Sequence, residues 1–342
     1  MTVVLTVVGG YPGAEVTGAQ RMAWRSTDAL ARRGHRVAVL SDTAPPRDVA
    51  LPHLREPAEL AGSEFAGPDF VHVYDVASPR YAALGARIAR ERSATLLVTP
   101  ASDPATWPDA RLGVAICAQA RSLFALTSPE ADALRAMGAA TGRVRFIPQA
   151  PDLVGDGDGD GFRKRHGLTG PMVLFAGRHV PSKGYQLLLQ AAPGVWRSRP
   201  DTVFVFCGPS SGREVDEFFA AHADDRIRRL GVLADEEKHA AMAACDLVCL
   251  PTSADVFPLV FAEAWSCGKP VVSGRFPGVD EVVRHGRDGL VVGLTAHEVG
   301  AAVVRLINDD TLRDRIGAHG RTRARDEMTW DRTAALIEQE MA

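Results

Sequence analysis

Lysine is nearly absent from this 342-residue chain. Only Lys164, Lys183, Lys238 and Lys269 occur, and arginine carries the remaining positive charge. That usage fits a high-GC genome and is silent on function. Charge of one sign is also lacking: the net charge is −3, so no global basic field draws the chain to nucleic acid. No stretch interleaves aromatic and basic residues as a nucleic-acid surface would. No apolar run approaches a membrane span. The start, MTVVLTVVGG, lacks a basic region and its apolar run is too short for a secretion signal. The five cysteines, Cys117, Cys207, Cys245, Cys249 and Cys267, are odd in number and show no zinc-ribbon spacing. Most lie in apolar runs, where free buried thiols are expected, and a cytoplasmic location fits.

What remains is the composition of an ordinary globular protein, 46% hydrophobic and 24% charged. The length exceeds what one core usually serves, so two domains are expected. Short β-branched runs alternate with helical patterns. The first half offers 2–8, 36–41, 70–74, 95–99, 123–127 and 144–148; the second offers 172–177, 202–208, 247–251, 270–274 and 289–292. Runs that are apolar on both faces belong to parallel strands under helices. Helical segments fall at 18–33, 129–137, 183–197 and 235–244. The fold class is α/β, with doubly wound parallel sheets. The run GDGDGDG at 155–161 reads as a flexible linker between a first domain, 1–154, and a second, 162–322. Its aspartates match the start of a calcium loop, but Gly167 stands where the closing glutamate belongs. The terminal segment, 323–342, carries Trp330, Ala334, Leu336 and Ile337 on one helical face.

Two elements carry chemistry. Strand 172–177 ends at Gly177, and Arg178 and Lys183 follow at the carboxyl edge of the sheet, where open α/β sheets bind ligands. Arginine offers phosphate a planar fork and lysine a point charge; unimportant surface ion pairs are the alternative. The second element is the turn at 250–272. A helix is expected to start with Pro258 in its first position. That leaves the amides of Leu259 and Val260 to face an anion. Glu263, one turn further, suits a ribose diol, and Asp255 lies in the preceding loop. Dipole complementarity and helix capping are the plain readings of these two carboxylates.

Together these motifs resemble those of the GT-B-fold retaining glycosyltransferases of family 4. Gly177-Arg178 with Lys183-Gly184 is similar to that family's G-R-x(4–5)-K-G. Asp255 to Glu263 resembles its E-x7-E, and Cys267-Gly268 to Val271-Val272 its C-G-x-P-V-V. Gly278 with Glu281, then Gly286 to Gly289, resembles G-G-x-x-E-x-x-x-x-G-x-x-G, and IPQAPD at 147–152 resembles I-P-N-G-V-D. The first half is similar more loosely, with Thr17-Gly18-Ala19-Gln20 standing for a glycine loop.

The resemblance implies two Rossmann-like domains facing across a cleft and a terminal helix returning to the first. It implies that Arg178, Lys183 and Asp255 act on the diphosphate and sugar. Gly18, Gly177, Val232, Leu233, Phe257, Leu259, Val260 and Glu263 would hold the donor. The activity implied is metal-independent, retaining transfer of a sugar from a nucleotide diphosphate sugar, a UDP-sugar favoured, with no cofactor. The acceptor would be a small molecule or a glycan, in natural-product or cell-surface glycan biosynthesis. Tyr11, Gln20, His72, Tyr74 and Trp107 are the acceptor-side candidates, with packing as their alternative. Two departures stand out. Asp255 is a methylene shorter than the family's glutamate, and Ala101 stands where the family has histidine, a place that His72 or His179 would have to fill. A nucleotide-sugar epimerase and a catalytically impaired nucleotide-sugar-binding protein are the competing readings. A nicotinamide dehydrogenase is a third and weaker reading, since Gly9-Gly10-Tyr11-Pro12-Gly13 is not G-x-G-x-x-G and no acidic ribose residue is placed for it. Arg21, Arg25, Arg32, Arg33 and Arg36 load the first long helix and its exit, which leaves weak contact with anionic lipid or a solvated helix face.

Overall fold

The computed structural model describes residues 2–10, 17–210 and 212–342. Tyr11 therefore lies outside the described residues. The chain forms two compact units, Met1–Ala150 with Met328–Ala342, and Pro151–Glu327.

The first unit holds strands β1 (Val3–Val7), β2 (Arg36–Leu40), β3 (His53–Leu54), β4 (Phe70–Tyr74), β5 (Thr95–Thr99), β6 (Ser122–Ala125) and β7 (Val144–Phe146). They pair in parallel in the order β3-β2-β1-β4-β5-β6-β7. Around them run α1 (Gly18–Arg32), α2 (Pro57–Ala61), α3 (Pro79–Glu91), α4 (Ala110–Gln119) and α5 (Ser128–Ala136). The second unit holds β8 (Met172–Ala176), β9 (Val203–Cys207), β10 (Ile227–Gly231), β11 (Leu247–Leu250), β12 (Val271–Ser273) and β13 (Gly289–Val291), in the order β10-β9-β8-β11-β12-β13. Its helices are α6 (Gly159–Arg165), α7 (Tyr185–Trp196), α8 (Arg213–Ala221), α9 (Asp235–Ala244), α10 (Leu259–Ser266), α11 (Val279–Val282), α12 (Ala296–Asn308) and α13 (Asp310–Glu327). The last helix, α14 (Trp330–Gln339), belongs to the first unit.

The apolar runs become strands because both faces are covered: β4 and β8 are buried at every residue. Two strands escape the pattern. β3 is two residues long, and β10 (IRRLG) is a half-exposed edge strand whose arginines hide its period. Both reversals of strand order, β1/β4 and β8/β11, open a crevice at the carboxyl ends of the strands, the usual ligand position in such sheets.

The expected linker is corrected. The units divide after Ala150, and Gly159–Gly161 begin α6 rather than extend a flexible run. Asp158 caps that helix by accepting from the Gly161 amide at 2.9 Å. Phe162 is fully buried, and Arg163 donates to the Ala244 carbonyl and to Asp246, both at 2.8 Å. Gly159 lies so close to α9 that a Cβ there would meet the Ala243 carbonyl carbon at 2.9 Å. The aspartates thus serve a helix start, and the glycines a close helix crossing.

The boundary expected at 323 falls instead at Met328. In α14, Ala334 and Ile337 are buried, with Trp330 and Leu336 packed beside them, against Trp24 and Leu30 of the first core. Glu338 pairs with Arg33 at 2.6 Å, and Glu340 with Arg145 at 2.5 Å. The basic helix is likewise neutralised from within. Arg25 meets Asp48 at 2.8 and 2.9 Å, Arg36 meets Glu64 at 2.6 Å, and Arg32 pairs with Asp28. Four of the five arginines proposed for a lipid-facing surface already face carboxylates. No described helix is long and apolar enough to cross a membrane. The five cysteines are free, four of them buried, and burial pushes the Cys117 and Cys207 thiols up to about 12.

One buried ion pair locks the second unit. Arg323 of α13 donates to Asp288 at 2.8 Å and to the carbonyls of Val282 and Glu281. The Asp288 carbonyl accepts from the Trp265 indole at 2.7 Å. Arg323→Met would leave a 1%-exposed carboxylate unpaired. The expected loss is about 3–5 kcal/mol, read as a lower urea midpoint at unchanged m-value.

Candidate nucleotide-sugar site

The β8/β11 crevice is walled by two loops. The first leaves β8 through Gly177 and Arg178, makes a 3-10 turn over Pro181–Lys183 and enters α7 through Gly184. The second leaves β11 through Pro251 and enters α10 at Leu259. They are braced together. The Ser182 carbonyl accepts from the Ser253 amide at 2.8 Å and from the Thr252 hydroxyl at 3.0 Å. Gly184 sits at φ 76°, and any Cβ there would lie 2.3 Å from the Pro251 carbonyl oxygen. Only glycine meets both demands. A parallel constraint holds the next strand: a Cβ on Gly208 (φ 126°) would strike the Gly177 carbonyl oxygen at 2.2 Å.

Both lysines in this frame are paired with carboxylates. Lys183 reaches Asp255 across the two loops, with its ammonium also 3.5 Å from the Ala254 carbonyl. Glu263, buried in α10, accepts from Lys238 of α9 at 2.7 Å. Arg178 is exposed, and among the described residues its guanidinium has no partner. Pro258 is the cap of α10 rather than its first residue, a shift of one from expectation, and supplies no side-chain bond to the helix amides. Leu259 and Val260 keep their amides without acceptors among the described residues, at the positive end of the helix dipole. Phe257, Leu259 and Val260 are half-buried, and Val232, just beyond β10, is 50% exposed with Leu233 half-buried beside it.

The expected acceptor residues are a correction. His72 is fully enclosed, with Nε2 2.8 Å from the Thr99 hydroxyl and its ring against Tyr74 and Phe124. Burial lowers its pKa to about 3. Tyr74 is buried with its hydroxyl 2.6 Å from Ser26, and burial raises its pKa. Trp107 is buried and donates to Ser102 at 3.1 Å. Gln20 is spent on a capping box with Thr17, beside Gly18, and on the Gly9 carbonyl at 2.8 Å. Packing and capping account for all four.

His179 does not fill the missing histidine's place either. It is 1% exposed among Phe175, Tyr185, Phe206 and Phe219, and among the described residues neither ring nitrogen has a partner. Burial, then Arg229, lowers its pKa to about 4. Ala101 itself adopts φ 54°, a left-handed conformation unusual for alanine.

Three residues were missed from sequence. Lys238 had only the scarcity of lysine to mark it. Asp75 ends β4 at the β1/β4 reversal with φ 63° and is buried. Glu130, buried at the start of α5, accepts from the Leu126 amide at 2.7 Å, and desolvation pushes its carboxyl up to about 8. A serine–proline helix start was its only signal.

With this geometry in view, the relatives of the chain fall into place. Its backbone matches a crystal structure of Anabaena HepE in complex with UDP and glucose at TM-score 0.82, over 99% of this chain and 98% of that one, at 19% identity. That likeness makes the fold GT-B. In sequence, residues 160–323 match the family described as Glycosyl transferases group 1. A D-inositol 3-phosphate glycosyltransferase of Catenulispora acidiphila is 33% identical over 306 residues, 79% of this chain and 72% of the relative. A GDP-mannose-dependent monoacylated alpha-(1-6)-phosphatidylinositol monomannoside mannosyltransferase of Corynebacterium glutamicum is 27% identical over 196 residues, 55% of this chain. The chain spans 50% of that relative's length and about half of several others. The chain belongs to the group 1 glycosyltransferases, the family-4 type on a GT-B fold.

Both enclosed imidazoles take up a proton more readily once the chain unfolds. Stability therefore falls as pH drops from about 6.5 towards 4, by about 1.4 kcal/mol per pH unit for each. His179→Phe should make that slope shallower than wild type in urea titrations between pH 4.5 and 7. It should also leave nucleotide affinity within about twofold.

Proposed function

We propose that this chain transfers a sugar from a nucleoside diphosphate sugar to an acceptor hydroxyl, with retention and without a metal ion. Its carrying observation is the β8/β11 crevice, where Lys183, Arg178 and the uncapped amides of α10 supply positive charge on one braced frame. Cleaving the sugar–phosphate bond builds negative charge on the diphosphate, and preorganised donors aimed at it are the most productive kind of stabilisation. Charged hydrogen bonds contribute about 1.5–3 kcal/mol each. Two or three together supply on the order of 5 kcal/mol, or a few thousandfold in rate.

In this reading Arg178, Lys183 and the Leu259 and Val260 amides hold the diphosphate. Glu263 takes the ribose, Val232 and Leu233 border the base, and Asp255 faces the sugar. Gly177 and Phe257 line the site, and Gly18 belongs to the phosphate-facing loop of the first unit. No carboxylate stands out as a nucleophile. A phosphate oxygen of the donor then receives the acceptor's proton as the new bond forms on the same face. We carry the uridine nucleotide as donor; the relative named for GDP-mannose makes guanosine the rival. The acceptor is a small molecule or glycan, in keeping with the relative named for D-inositol 3-phosphate, and we keep the reaction cytoplasmic.

Lys183→Ala and Arg178→Ala should each lower kcat about ten- to a hundredfold while circular dichroism stays unchanged; near-wild-type turnover in both would refute the assignment. Chelator should leave the rate unaltered, and a strict need for Mn²⁺ or Mg²⁺ would defeat the metal-free mechanism. Release of free nucleotide and an altered sugar with no acceptor present would identify an epimerase. Donor binding without turnover across an acceptor panel would identify a silent binder.

A further inference from the structure

The buried carboxylate of Glu263 is held by a residue that no motif contains. Lys238 opens the second turn of α9, after the acidic run Asp235, Glu236 and Glu237. Its ammonium donates to Glu263 Oε1 at 2.7 Å and to the Asp152 carbonyl at 2.8 Å. Glu263 is 3% exposed and the lysine side chain 21%. A carboxylate in that setting stays charged only with a partner. Lys238 is a partner with fixed geometry, because a second acceptor, the backbone of Asp152, holds the same ammonium. The next residue, His239, lies 3.1 Å from the Val154 carbonyl, so α9 grips the entering chain at two successive points. The loop preceding α9 carries Val232 and Leu233. One helix thus anchors both the base-side loop and one oxygen of the ribose-side carboxylate.

We propose that Lys238 is a positioning residue for the donor: it fixes the plane and charge of Glu263 so that the carboxylate can accept from the ribose hydroxyls. The proposal rests on the reading of Glu263 as the ribose contact. Lys238 touches neither the sugar nor the diphosphate in this scheme, and its effect is confined to nucleotide recognition.

The test is calorimetric binding of UDP and GDP, and of their 2′,3′-dideoxy counterparts, to the full chain. The tighter ribonucleotide of the two is used. Wild type should prefer it over its dideoxy form by about tenfold or more, the range of a charged hydrogen bond. Lys238→Met should weaken the ribonucleotide by about tenfold, leave the dideoxy form unchanged, and so reduce the preference to within about twofold. Lys238→Arg should restore part of it, and Glu263→Gln should lose it as Met does. Should the Met variant unfold, Lys238→Gln retains a donor for Asp152 and is expected to show the same collapse. A Met or Gln variant that binds more weakly yet keeps the full preference would overturn the proposal and leave the Glu263 reading standing. A wild type without any preference would overturn that reading itself.

Discussion

The braced pair of loops at the β8/β11 reversal is the constraint on which the second unit's site depends. Gly184 lies against the Pro251 carbonyl in a left-handed conformation, and the Ser182 carbonyl gathers donors from Thr252 and Ser253. Without that contact the loops would be two independent surface turns, and Lys183 would be a flexible cation on a long stem. With it, Lys183 is set opposite Asp255 at a defined place in the sheet edge. The brace uses backbone atoms and the uncharged Thr252 hydroxyl, so its geometry does not depend on the charged residues around it. Alanine at Lys183 or Arg178 is therefore expected to remove charge and not structure.

The same frame explains why the charges come in pairs. An exposed cluster of cations would repel itself and bind any anion. Here Lys183 is balanced by Asp255 and Lys238 by Glu263. Under the proposed function the arriving diphosphate shares Lys183 with Asp255 rather than meeting a bare ammonium. The net gain is the difference between two charged contacts, which favours ligands that also engage Arg178 and the α10 amides. A lone phosphate gains less from such an exchange than a diphosphate that spans several donors. Selectivity then follows from the pairing itself. The Lys238 pair differs because its ammonium is also committed to Asp152 and is not released.

The placement of the second unit's candidate residues was readable because they sit at fixed offsets from strand ends. Arg178 follows β8 by two residues, and Glu263 lies one turn into α10. Strand ends are visible where both faces are apolar, and β8 and β11 are of that kind. The shift of Pro258 from first residue to cap is within the fraying of any helix start. The GDGDGDG run misled because composition alone cannot show that Phe162 and Arg163 find partners on α9 and Asp246. Lys238 was invisible for the opposite reason: its partners, Asp152 and Glu263, are 86 and 25 residues away, and no local pattern announces either bond.

The first unit teaches a different lesson about aromatic and imidazole residues near strand ends. His72, Tyr74 and Trp107 carry polar atoms and lie where an acceptor would be sought, yet all three are buried and each bonds a neighbour, with His72 Nδ1 alone of their side-chain polar atoms left without a partner among the described residues. Nε2 of His72 meets Thr99, the Tyr74 hydroxyl meets Ser26, and the Trp107 indole meets Ser102. Most buried polar atoms are satisfied, and satisfied polar atoms are unavailable to a ligand. The residues whose backbone leaves the sheet at its carboxyl edge are placed differently. Asp75 and Ala101 stand there, each held at positive φ just past β4 and β5. Alanine gains nothing local from such a conformation, which costs on the order of 1–2 kcal/mol. The loop is held by its surroundings instead, Glu130 among them, whose carboxyl faces the Ala101 and Leu126 amides. The strand edge thus keeps its strained turn although the family's histidine is gone. The turn is consequently a property of the scaffold, independent of the side chain at position 101.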